Sequence, residues 1–372
     1  MIKVGVIAEY NPFHNGHLYH LKKVKELYPD SYLILVLIGN FTQRGDVSVI
    51  NKWDKTKLAL DYGYDLVVEL PFNIATSSAN IYAKGAIDIL NYLKCDALVF
   101  GSESNNIDMF KEVVNITNKN KTYNKKIKEY LKEGYNYPKA CSLALKEISN
   151  ITIDKPNDVL GLEYVRNIIN TKSKITPVSI KRTNDYHDED IVNNITSATS
   201  IRKNISNKKL IKKALPKESL KLINNISLND YFEYIKYEII SNENLINILD
   251  VDEGILNKLK KEIDNVNTID ELILKVKSKR YSYNRIKRML LHILTNTTKD
   301  YNTNINYIRV LGLNDNGKKI LKNIDNNIPV ITKYKKEYDY LFKDDIKVSK
   351  IYSLITNYDI KEEYKTSIIK KD

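Results

Sequence analysis

Two imidazoles three residues apart, His14 and His17, follow a strand-like apolar run and an Asn-Pro turn. The stretch reads Ile7-Ala8-Glu9-Tyr10-Asn11-Pro12-Phe13-His14-Asn15-Gly16-His17-Leu18-Tyr19-His20 and leads into the amphipathic spacing Leu18, Leu21, Val24, Leu27. Attack on a phosphorus spreads negative charge over its oxygens, and donors at a helix mouth stabilise that charge. Two His one helical turn apart can serve one phosphate. Gly16 lets backbone and nucleotide approach closely. His20 lies a turn further on, where it meets either phosphate or water. HxGH alone is a weak pattern. Placed after a strand and a turn it points to chemistry at the α-phosphate of ATP.

A second segment, Ile195-Thr196-Ser197-Ala198-Thr199-Ser200-Ile201-Arg202, sets hydroxyls and amides before a helix and an Arg one turn inside it. Thr199 and Arg202 suit the β,γ-phosphates, although a Ser/Thr helix cap would look the same. A third, Gly39-Asn40-Phe41-Thr42-Gln43-Arg44-Gly45-Asp46, directly follows an apolar run. Loops at the carboxyl ends of parallel strands face the ligand crevice. Arg44 is therefore a candidate to hold a phosphate or a substrate carboxylate bidentately. Gly101 would let adenine or ribose lie against the backbone. Asn157 reads first as a helix cap, and Arg182 as a possible phosphate ligand.

These residues need a scaffold. Continuous apolar runs at Lys3–Ala8, Tyr32–Ile38, Leu66–Leu70 and Ala97–Phe100 suit parallel strands buried on both faces, and Val178–Ile180 a last strand. Helical spacing falls near His17–Tyr28, Lys52–Tyr62 and Asn80–Leu93, through 105–170, and from Ser200 to Asn204. Asn184–Asn194 reads as a loop. The fold class expected is α/β, a Rossmann-like domain with a parallel sheet over residues 1–204. A mainly α-helical domain follows over 205–372, with short strands at Tyr307–Val310 and Val330–Thr332.

Charge separates the two parts. Residues 1–200 hold 25 Lys+Arg against 23 Asp+Glu, and residues 201–372 hold 34 against 23. A polyanion bound mainly by the second part is expected. There Lys275, Lys277, Lys279, Arg280, Tyr281, Tyr283, Arg285, Lys287 and Arg288 interleave cations with rings, as suits RNA. The candidate RNA contacts are Lys279, Arg280, Arg285 and Arg288. Two cysteines, Cys95 and Cys141, offer neither metal spacing nor a disulfide framework. The first residues read as a strand rather than a signal peptide, and the run Leu33 to Ile38 is too short to cross a bilayer. A cytoplasmic chain with no membrane association is expected.

Together HxGH and the Thr-Ser-Ala-Thr-Ser-Ile-Arg segment resemble the paired signatures of the nucleotidylyltransferase superfamily. The blocks GVIAEYNPFHNGHLYHL, GNFTQRGD, NKWDKTKLAL, DLVVELPF, LVFGSES, KPNDVLGLEY, IKRTNDYHD, TSATSIRK, RIKRMLLHIL and VLGLNDNGK resemble, in order and over nearly the whole chain, the bacterial tRNA(Met) cytidine acetate ligases. Val47-Ser48-Val49 departs from the Pro-Ala often found after the QRGD loop and touches none of the expected phosphate ligands.

The resemblance implies acetylation of the wobble cytidine of elongator tRNA(Met), from acetate and ATP with Mg²⁺ on the nucleotide, to give N4-acetylcytidine. It implies that Ile7–His20, Gly101, Asn157 and Arg182 bind ATP, and that His14, His17 and Arg202 act in catalysis. Two other readings share part of the pattern. A metabolite adenylyltransferase would carry both signatures without needing the basic extension. An RNA-binding protein with a vestigial nucleotide fold would not need the signatures intact. Oligomeric state is not legible.

Overall fold

The computed structural model describes residues 1–182, 194–324 and 327–371. The first part runs β1 (Lys3–Ala8), α1 (Asn15–Leu27), β2 (Tyr32–Ile38), α2 (Lys52–Asp61), β3 (Leu66–Leu70), α3 (Phe72–Ala75), α4 (Ala79–Tyr92) and β4 (Ala97–Ser102). Next come α5 (Ile107–Lys119), α6 (Lys121–Lys132), α7 (Tyr137–Ser149), α8 (Pro156–Asn170) and β5 (Thr176–Lys181). Short helices α9 (Ala198–Lys203), α10 (Lys208–Ile211) and α11 (Lys217–Leu222) lead to α12 (Phe232–Ser241), α13 (Glu253–Glu262), α14 (Ile269–Val276) and α15 (Tyr283–Leu294). The chain ends with β6 (Ile308–Leu313), α16 (Asp315–Lys322), β7 (Val330–Ile331), α17 (Asp339–Ser353), α18 (Glu362–Lys365) and β8 (Ile369–Lys370). Of the loop expected over Asn184–Asn194, all but the last residue lies outside the described residues.

Strands β1 to β5 are parallel and stand in the order β5-β4-β1-β2-β3. The apolar runs form strands because both faces are covered. Ile34, Val36 and Ile38 of β2 enter a core with α4 and α8, while Leu33, Leu35 and Leu37 enter one with α1 and α2. The order turns at β1, whose neighbours are β2 and β4, so the carboxyl ends of β1 and β4 flank a ligand crevice. The second part has its own core, in which Ile235, Leu259, Ile273 and Leu290 of α12 to α15 meet over Phe41 and Phe72.

The short strands expected at Tyr307–Val310 and Val330–Thr332 fall at β6 and β7, and with β8 they return to the first sheet rather than staying within the second part. β6 pairs antiparallel with β3, with Leu66 opposite Leu313 and Glu69 opposite Arg309, and β7 and β8 pair with β6. The reason is electrostatic as well as apolar. Lys52 Nζ lies 3.0 Å from Glu69 and 2.9 Å from Glu363. Arg309 lies 3.2 Å from Glu69 and 2.7 Å from Glu363. All four side chains are buried. Each is satisfied only when β6 and α18 sit against β3 and α2.

Candidate active site

The carboxyl end of β1 does not run straight into α1. Tyr10 adopts φ 48°, and Asn11-Pro12 is a cis peptide. Asn11 fixes this turn to the loop after β2: its Nδ2 donates to Val47 O (3.1 Å) and its Oδ1 accepts from Val49 N–H (2.9 Å). Behind the turn, Lys55 Nζ donates to the carbonyls of Glu9 (3.0 Å), Ile38 (2.7 Å) and Gly39 (2.7 Å), tying together the ends of β1 and β2. Burial lowers the Lys55 ammonium to about 7.

His14 is the N-cap of α1, so the helix starts at Asn15 rather than at His17 as the spacing suggests. Its Nδ1 accepts from Gly16 N–H (3.0 Å), and its own N–H donates to His17 Nδ1 (3.2 Å). Gly16 is needed mainly for this ring: a Cβ there would lie 2.7 Å from His14 Cε1. Because both Nδ1 atoms accept, each neutral ring carries its proton on Nε2. The ring centroids are 3.8 Å apart. Burial, then the charges of Arg182 and Arg202, lower His14 to about 3. Burial, then His14, hold His17 well below its usual value. Burial and then Arg182 lower His20 to about 4. Burial thus favours the neutral rings of His14 and His17, each carrying an Nε2–H.

These residues wall a cavity of about 250 Å³ at the ends of β1, β4 and β5. It brings together Ile7 to Asn11, His14, Gly16, His17, Tyr19, His20, Arg44, Gly101, Asn157, Arg182, Thr199 and Arg202. Pro12, Phe13, Asn15 and Leu18 are not on its wall. Phe13 stacks on Tyr62 in the core, and Asn15 Nδ2 donates to the carbonyls of Asn194 and Lys213. Three buried groups on the wall have no hydrogen-bond partner among the described residues: His20 Nε2, Arg182 Nε and Thr196 Oγ1. Buried donors left open in this way suit an anionic ligand. His20 therefore faces the cavity.

Gly101 lies inside β4, and a Cβ on it would reach to 3.4 Å from the Arg182 side chain. One expectation changes in detail. Asn157 is not the cap of α8, because Lys155 holds that position. The helix start is served by Glu103, whose carboxylate accepts from Asn157 Nδ2 (2.6 Å) and Asp158 N–H (2.9 Å). Sequence reasoning missed Tyr82 and Tyr164, which reach the wall from α4 and α8 and carry only a core-helix spacing. It also missed Gln43, Asp46 and Thr196, which lie inside motifs it singled out.

Arg202 donates to Asn11 O (2.7 Å) and lies 3.3 Å from Asp46 Oδ2. Arg44 sits beside Glu9 and Asp46, and its guanidinium is lowered first by burial. The proposed tRNA contacts stand apart from the cavity wall. Lys279 Nζ lies over the Tyr135 ring (5.4 Å), and Arg280 and Arg285 lie over Tyr281. The Arg280 side chain is 65% exposed, whereas that of Arg288 is 13% exposed and pairs with Asp250 at 2.9 Å. Arg288 is thus committed within the fold.

A crevice at the sheet's switch point lined by the paired His side chains, Arg182 and Arg202 is the arrangement expected of a nucleotidyltransferase site of the HxGH type. The HIGH Nucleotidyl Transferase family profile matches residues 1–367. A tRNA(Met) cytidine acetate ligase of Caldicellulosiruptor saccharolyticus is 41% identical, covering 95% of this chain and 94% of its own. One of Clostridium perfringens is 42% identical, covering 94% of each. The crystal structure of Thermotoga maritima TmcAL bound with alpha-thio ATP superposes with TM-score 0.89 at 27% identity over the whole of both chains. The chain belongs to the tRNA(Met) cytidine acetate ligase family.

Proposed function

We propose that this protein is an ATP-dependent ligase that activates acetate as acetyl-adenylate and transfers the acetyl group to the wobble cytidine of elongator tRNA(Met). The observation that carries the reading is the convergence, on one cavity, of the Nε2–H groups of His14 and His17 with the unpartnered polar atoms of Arg182, His20 and Thr196. The alpha-thio ATP in the Thermotoga maritima TmcAL structure supports ATP as its occupant.

In the first step an acetate oxygen attacks the α-phosphorus, the bond to the bridging oxygen breaks, and pyrophosphate leaves. His14 and His17 donate to the oxygens that gain charge, which costs no ring protonation. Arg202, Thr199 and Arg182 hold the phosphates, and Arg44 orients the acetate carboxylate. The carboxylates on the wall are engaged: Glu9 accepts from Gln43 N–H (2.9 Å), and Asp46 pairs with Arg202 and Lys287. Mg²⁺ would be held by the nucleotide's phosphates and would neutralise part of their charge there. In the second step the cytidine amine attacks the acetyl carbonyl, the bond from that carbon to the phosphate oxygen breaks so that AMP leaves, and the amine's proton passes to the departing phosphate or to water. The base must be unstacked to enter the crevice.

Acetate-dependent ATP–pyrophosphate exchange tests the first step. Exchange that requires acetate and no tRNA is expected. Exchange with another carboxylic acid but not acetate would overturn the choice of substrate.

A further inference from the structure

Asp46 pairs with two cations that come from different parts of the chain, and Arg44 of its own loop sits beside it. Its Oδ2 faces Arg202 at 3.3 Å, and its Oδ1 bonds Lys287 of α15. The loop that carries it is held from within: Thr42 N–H donates to Asp46 O (2.9 Å), and Asp46 N–H donates to Thr42 Oγ1 (3.0 Å). It is also held from behind. Gly45 adopts φ +80°, and a Cβ there would lie 2.8 Å from the backbone of Arg288, so the loop rests on the α15 backbone. Asp46 and Arg202 line the cavity, and Lys287 does not.

A carboxylate beside a triphosphate repels it unless it does something else there. Here it fixes a guanidinium that is otherwise anchored on Asn11 O (2.7 Å) and Thr199 Oγ1 (3.4 Å), both neutral. We propose that Asp46 is a positioning residue: it sets the Arg202 guanidinium at the phosphate end of the cavity, and Lys287 on α15 sets Asp46. The proposal rests on the ATP reading above. It makes the helix of the basic second part a support of the nucleotide site.

The test compares wild type, Asp46→Asn, Asp46→Glu and Lys287→Met by calorimetric titration with ATP and by exchange kinetics. Bare charge and positioning predict opposite signs. If Asp46 acts only as a negative charge, Asp46→Asn binds ATP more tightly. If it positions Arg202, Asp46→Asn weakens ATP binding by roughly tenfold or more and lowers kcat, as loss of a charge-assisted hydrogen bond would. The positioning result is expected, with partial recovery in Asp46→Glu and a smaller loss of the same sign in Lys287→Met. Asp46→Asn binding ATP as well as wild type or better would overturn the proposal. Thermal unfolding accompanies each variant. If Asp46→Asn does not fold, Lys287→Met decides, and unchanged ATP affinity in it is the contrary result. A wild type that binds ATP without acetate-dependent exchange would defeat the substrate reading, and the titrations would still decide the role of Asp46.

Discussion

At the residue scale the His pair is proposed to work as neutral donors. Alanine at His14 or His17 is expected to lower exchange kcat by roughly a hundredfold or more while changing ATP affinity far less, since each donor acts mainly on charge that develops in the transition state. Equal losses in kcat and affinity would show ground-state binding instead. The lowered pKa values also bear on stability. His14 and His20 titrate near about 3 and about 4 in the fold, and near about 6.5 once unfolded. Between those values the unfolded chain binds more protons, so stability present above pH about 6.5 is lost as pH falls toward 4. Urea unfolding at neutral and mildly acidic pH should show that loss, and His20→Gln should reduce it. An unchanged slope in His20→Gln would remove His20 as a contributor. Much of this residue set is legible in the sequence, because a strand, an Asn-Pro turn and HxGH are contiguous. The Nδ1 bonds that fix the tautomer, and the partners of Asp46, are not, because hydrogen-bond direction and contacts 241 residues apart leave no local pattern.

At the element scale the apolar runs place the parallel strands to within two residues at every end, because two buried faces demand such runs. The run at Tyr307–Val310 reads as a short strand, but not as a partner of β3. Antiparallel pairing between distant strands is set by which faces meet, and nothing near Ile308–Leu313 announces Leu66–Leu70. The buried quartet of Lys52, Glu69, Arg309 and Glu363 closes that pairing. Arg309→Met strands Glu69 and Glu363 with one cation between them, and a loss of about 3 kcal/mol or more in urea unfolding is expected. A neutral result would mean that apolar packing alone holds β6 on the sheet. The same logic applies to Lys55, which satisfies three carbonyls at the ends of β1 and β2. Lys55→Met should cost about 2 kcal/mol or more by the same measurement, and an unchanged midpoint would show that those carbonyls find water.

At the scale of the whole molecule, composition tells where the positive charge lies but not which cations are available. The structure separates them: Arg288 and Lys287 are paired with Asp250 and Asp46, while Arg280 stands mostly in solvent. Neutralising Lys279 and Arg280 together is expected to weaken tRNA binding and to lessen its salt slope by roughly one for each phosphate no longer neutralised, with exchange kinetics unchanged. Collapse of exchange in that variant would make the patch structural. The domain-sized basic part is thus proposed to bring RNA to a crevice built by the first. The most direct measurement of that whole arrangement is to incubate the protein with ATP, isotopically labelled acetate and tRNA(Met), digest the tRNA to nucleosides and weigh them. Labelled N4-acetylcytidine that disappears in His14→Ala is the result expected. Cytidine left unmodified while ATP is turned over with acetate would contradict it.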